Sequence, residues 1–178
     1  MAEEEAKPQG YVRDAIYLVR TVTQVNLQLS QMADQKASIL MGATFVVFTI
    51  AVGQASKGSV PVSLLLLAVF SFASALCAVA AIMPSVKPPP VVPGKENRLF
   101  FGVFTQWSED EFTERMLEVL HEDEDVFRTM LRDIYQNGQV LQRKKYRYLG
   151  MAYRLFVGGL ALTLVAFVVE HRGLLGAG

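Results

Sequence analysis

An acid and a base two residues apart, Asp34 and Lys36 in QMADQKASILMGATFVVF (31–48), stand directly before a run with no charge until Lys57. On a helix they lie about 200° apart, so they do not pair with each other. Each needs a partner from another segment or must snorkel to water. A second cluster, RKKYRYLGMAYR (143–154), opens another apolar run. Asp34 with one of Lys144, Lys145 or Arg147 makes the natural ionic bridge, and Lys36 is left for lipid phosphate or a ligand. The alternative is a set of interfacial charges whose basic cluster meets anionic lipid. Arg154, deeper in its run, either snorkels or lines a pore.

The chemistry open to these residues is electrostatic. No Ser/His/Asp or Cys/His set, no pair of metal-binding histidines and no phosphate-cradling glycine loop accompanies them, so no enzyme and no catalytic residue is expected. Cys77 is the lone cysteine, which excludes an intrachain disulfide. His121 and His171 fall on opposite sides of the expected membrane, and the acid run Glu122–Asp125 lacks the spaced ligands and turn glycine of a calcium loop. No metal and no cofactor is expected.

The elements that must position these charges are apolar. The chain has 178 residues, 52% hydrophobic and 19% charged, with the charges segregated between three nearly charge-free stretches at 37–54, 60–83 and 148–169. Crossing a bilayer takes roughly 20 apolar residues in a helix, and a soluble core helix of that length needs a polar face that these lack. The fold class is therefore an all-α membrane protein with three transmembrane helices and a cytoplasmic helical stalk. Of the 17 Lys and Arg residues, only Lys57 and Arg172 fall on the side reached between the first two spans and after the third. The positive-inside rule puts that side outside. The N-terminal segment 1–36 and the region 84–147 are then cytoplasmic, and 170–178 is an external tail. The acidic opening (Glu3, Glu4, Glu5) and the late start of the first apolar run argue against a cleavable signal peptide.

After an opening of disordered character (Met1 to Gly10), Tyr11, Ala15, Leu18, Val22, Val25, Leu29 and Met32 step by four and three, a heptad seam. No proline interrupts Tyr11 to Gln54, so the seam and the first span read as one helix. The second span carries small residues at four-residue spacing (Ser71/Ala75, Ser74/Ala78, Ala73/Cys77/Ala81), which suits it to a packing core or subunit interface, or else to an alanine-rich face on lipid. Five of the 7 prolines lie in Pro84–Pro93, a stiff connector or a ligand for aromatic-grooved domains. Phe100, Phe101, Phe104 and Trp107 follow as an interfacial belt, a plug in a helical core or a stacking surface. Ser108 with Glu111 forms a capping box. From Phe127 the pattern runs on without proline into the third span, with Gly138 as its weak point and hinge.

Three stretches, ADQKASILMG at Ala33, ENRLFFGVF at Glu96 and LRDIYQNGQVLQRKKYRYLG at Leu131, with their placement around three spans, resemble the membrane effector family of Pycsar, the pyrimidine-cyclase anti-phage defence system of bacteria. The resemblance runs from about Tyr11 to Val169. Asp34, Lys36 and Ala37 match the family's D-x-K-A; Asn97, Phe100 and Phe101 its N-x-x-F-F; Ile134, Tyr135, Asn137, Lys145 and Tyr146 its I-Y-x-N and K-Y/F elements. The doubled lysine and the Gly138 after Asn137 depart from the pattern. The resemblance implies a multi-pass protein of the bacterial inner membrane, in contact with lipid. It would answer cyclic CMP or cyclic UMP from a partner cyclase and impair membrane integrity, giving abortive infection. A ligand pocket would be helical, within or between subunits of a homo-oligomer, and would use Lys36, Asn97, Phe100, Phe101, Tyr135, Asn137, Lys144 and Lys145. Asp34, Gly138, Arg147 and Arg154 would hold or gate the helices. No DNA or RNA partner is expected. The competing reading is a non-catalytic membrane adaptor whose stalk binds another protein.

Overall fold

The computed structural model describes residues 11–56, 58, 60–84 and 96–175. The opening at 1–10, Lys57 and, apart from Pro84, the proline-rich connector lie outside the described residues. Every regular element among the described residues is helical. In order these are α1 (Ala15–Ala55), α2 (Val62–Ile82), α3 (Phe101–Phe104), α4 (Glu109–Val119), α5 (Asp123–Val140), a π-helical turn (Leu141–Tyr146) and α6 (Arg147–Leu175). Three helical runs are long and apolar enough to cross a membrane: Ala15–Ala55, Val62–Ile82 and Asp123–Arg172.

Local chemistry explains the helix limits. The hydroxyls of Thr21, Thr23, Thr44, Thr49 and Ser56 each donate to the carbonyl four residues back, at 2.8–3.0 Å, so α1 carries its polar side chains without breaking. Pro61, extended at φ −65° and ψ 151°, precedes α2 where a missing N–H costs nothing. Met83, which precedes Pro84, is turned extended (ψ 123°), as the proline ring requires, and α2 stops there. Ser108 Oγ accepts from the Glu111 N–H at 3.2 Å, half of the expected capping box; the Glu111 carboxylate goes to Arg115 instead.

The chain divides into two compact units. The first comprises Met1–Leu27 and Lys87–Gln136. In it Val19, Val103 and Val119 are buried, the Tyr11 and Phe127 rings stack obliquely at 4.5 Å, and Asn26 donates to the Ile134 carbonyl at 3.3 Å. The heptad seam is only partly used: Leu18 and Val25 are exposed, while Val19, one residue along from Leu18, turns inwards.

The second unit comprises Gln28–Val86 and Asn137–Gly178. Its composition is inverted relative to a protein folded in water. The buried positions are mostly small or hydroxylic: Ala33, Ala37, Thr44, Ala51, Ser63, Ser71, Ser74, Ala78, Ala81 and Ala152, with Leu40, Leu141 and Leu149 the large exceptions. The large apolar residues, among them Phe45, Ile50, Leu65, Phe72, Leu76, Val157, Leu164 and Val168, are exposed. Lipid gives helices no hydrophobic reason to associate, so close backbone approach through small side chains holds them, and large side chains face the tails. Two clusters carry the contact: Ala33, Ala37, Ala81 and Leu149, then Leu40, Ala78 and Ala152 with Met41, Cys77 and Phe156. Ser74 Oγ donates to the Ala152 carbonyl at 2.7 Å. A Cβ on Gly159 would stand 2.3 Å from Phe70 Cβ, so α2 and α6 touch there through glycine alone. At the far end of the pair, Glu170 accepts from Ser63 Oγ at 2.6 Å and from the Ser63 N–H at 3.2 Å.

Candidate functional site

The charged residues at the threshold of the spans assemble on the π turn. A π turn widens the helix by an i→i+5 bond and is a common mark of function inside a long helix. Here it carries Lys144 and Lys145, which as neighbours point in different directions and reach different helices. Lys145 Nζ donates to both carboxylate oxygens of Asp34 and to Ser30 Oγ, each at 2.7 Å. Lys144 Nζ donates to the Met83 carbonyl, at the end of α2, at 2.7 Å. One turn thus ties α1 and the close of α2 to the start of α6. Of the three partners expected for Asp34, Lys145 is the one that binds it.

Ser30 was not foreseen in this lock. Its signal was available: Ser30 lies one helical turn before Asp34 and shares its face. The Met83 carbonyl was not readable, because it is offered only where the proline turns the chain. Lys36, Arg147 and Arg154 are exposed. Gly138 lies within regular α5, and the departure from α geometry begins three residues later, at Leu141.

Of the remaining expected ligand residues, Asn97, Phe100, Phe101 and Tyr135 lie in the first unit. Asn97 is buried and committed: its amide donates to Asp133 Oδ1 at 2.9 Å and its oxygen accepts from the Leu99 N–H at 3.1 Å. It braces the start of the aromatic segment against α5. Phe100 and Phe101 pack on each other with centroids 4.8 Å apart, and Phe101 is exposed. Tyr135 is exposed as well. Asn137 belongs to the second unit and is also exposed, though not without a partner. Phe104 packs on Phe112 at 5.2 Å, and the Arg115 guanidinium lies 4.6 Å over Trp107. The aromatic run is therefore spent largely on packing within its own unit. Among the described residues no group of His, Cys, Asp or Glu is placed to hold a metal ion.

This arrangement holds three helices together through one turn. The sequence profile of the Pycsar effector protein domain matches residues 17–170. Nothing among curated proteins or solved structures matches the chain.

Proposed function

The chain belongs to the Pycsar effector family, and from that premise we propose how it performs an antiphage role. A cyclic pyrimidine nucleotide, cyclic CMP or cyclic UMP, made by a partner cyclase binds the helical unit. The three-span bundle then changes arrangement and breaches the bacterial inner membrane, stopping the infected cell. The lysine pair on the π turn is the observation that carries this reading. From one turn, Lys145 holds the middle of α1 and Lys144 the end of α2. A single local change there loosens all three at once.

Such a device works by population shift. Moving a quiet-to-active ratio from 1:99 to 99:1 takes a ligand preference of about 5.5 kcal/mol for the active arrangement, within reach of a phosphate clamped by several cations. The distribution of Lys and Arg supports a cytoplasmic N-terminus and an external C-terminus. The uncovered seam positions Leu18, Val22 and Val25 support a homo-oligomer.

Dye release from liposomes containing the purified protein, titrated with cyclic CMP, cyclic UMP and cyclic AMP, tests the proposal. Leakage with one pyrimidine nucleotide alone is expected. Silence with all three from folded, correctly oriented protein would sink it in favour of an adaptor that needs a partner protein. Lys145→Ala should alter the leakage; an unchanged response would remove the π turn from the mechanism.

A further inference from the structure

Between the segment at 96–98, α4 and α5 the first unit holds a cavity of about 240 Å3, walled by Arg98, Arg128, Arg132, Glu96, Glu118 and Asp125. Sites for drug-sized ligands run to about 300–1,000 Å3 and are mostly apolar. This cavity is smaller and its walls are charged, so it suits a small ionic, hydroxylated occupant.

Three arginines face three carboxylates, yet the charges are not simply cancelled. Arg98 and Arg132 are half-buried and held by main-chain carbonyls: Arg98 Nη1 donates to the Arg115 carbonyl at 2.8 Å, Arg132 Nη1 to the Glu96 carbonyl at 3.1 Å. A carbonyl orients a guanidinium without neutralising it. Arg98 meets the Glu118 carboxylate only at 3.4 Å, and that side chain is 71% exposed, so the pair is worth little in water. The Glu96 carboxylate is drawn away to Arg115 at 3.2 Å. Arg128 is the committed member, paired with Glu124 one turn back, which holds its guanidinium above the usual range. Two oriented cations with donors to spare thus stand beside carboxylate acceptors.

We propose that this cavity binds a singly charged phosphodiester on a hydroxylated sugar, the chemistry of a cyclic mononucleotide. Arg98 and Arg132 take the phosphate oxygens; Glu118 and Asp125 accept from the sugar hydroxyl and from N–H groups of the base. The assignment rests on the nucleotide response proposed above and gives it a location. Asn97 supports the wall from behind through Asp133, next to Arg132.

The full-length protein in nanodiscs is titrated calorimetrically with cyclic CMP, cyclic UMP, cyclic AMP and inorganic phosphate. A cyclic pyrimidine nucleotide should bind, with Arg98→Gln and Arg132→Gln each weakening it by about tenfold or more. Arg172→Gln, at an exposed cation near the end of α6 and away from both the cavity and the π turn, should leave it unchanged. Thr129→Glu puts a negative charge on the cavity wall without removing either arginine. It should abolish binding, and it decides the matter if the arginine variants lose helix content. Tight binding by the wild type with all three cavity variants unaffected overturns the cavity and leaves the nucleotide response standing. Binding of inorganic phosphate as tight as any nucleotide also overturns the cavity assignment. If the wild type binds no nucleotide, the response and the cavity fall together.

Discussion

Lys145 Nζ sits 2.7 Å from both carboxylate oxygens of Asp34, across 111 residues of sequence and on the one π-helical turn of the described chain. The lysine side chain is 20% exposed and the aspartate 45%, so the pair is screened on one side only. It is stronger than a surface ion pair yet carries no deep desolvation penalty.

Lys145→Ala and Asp34→Ala should each lower the thermal midpoint, and the double variant should lose less than their sum. A coupling of about 1 kcal/mol is expected from a double-mutant cycle of thermal unfolding in detergent. Strict additivity would mean that the two side chains do not act as a pair.

Gly159 and Gly158 make a matched test of helix approach. Gly159→Ala drives a methyl against Phe70 and should cost about 1–3 kcal/mol, whereas a Cβ on Gly158 meets nothing within 4 Å. Gly158→Ala should be neutral or stabilising by up to about 1 kcal/mol through helix propensity. Equal midpoints for the two variants would place the α2–α6 contact elsewhere.

Ser74 separates hydrogen bonding from packing. Ser74→Ala gives up the bond to the Ala152 carbonyl and should cost only about 0.6 kcal/mol, as interhelical bonds in lipid generally do. Ser74→Leu, which forces bulk into a fully buried position, should cost several times as much. The ratio of the two losses in unfolding titrations is the measurement, and a larger loss for alanine would contradict the packing account.

Asn97→Ala should behave as a structural lesion. It strips a partner from Asp133 and from the Leu99 N–H, for a loss of about 1–3 kcal/mol. Hydrogen exchange should quicken over residues 97–104 before any ligand is added. If exchange there is unchanged while nucleotide binding is lost, Asn97 is a ligand contact after all.

Much of the fold was legible from the chain itself. The three apolar runs, the uninterrupted first helix, the proline stop after Met83 and the serine cap at Ser108 each follow from composition or from a local rule with a short reach. The small residues of the second span also announced its role, and Ser71, Ser74, Ala78 and Ala81 are indeed the face that α2 buries. Partner choice was less legible. Three basic residues stood within reach of Asp34 by sequence, and it is Lys145, on the π turn, that meets it.

By itself the sequence determined which segments are helical and which of them suit lipid, because those properties depend on residues within a few turns of one another. Tertiary structure alone decided which face of α1 is buried. The seam of Tyr11, Leu18 and Val25 looked like the face to cover, yet all three stay more than one-third exposed. In the membrane unit the buried row is Ala33, Ala37, Leu40 and Thr44, because close approach in lipid rewards small side chains over large ones. The arginine cavity belongs to the same class of decision. Arg98 and Arg132 lie in the quoted family stretches but at positions that the N-x-x-F-F and I-Y-x-N patterns leave unspecified, and both are oriented by carbonyls of Arg115 and Glu96, groups that every residue possesses and only a fold can aim.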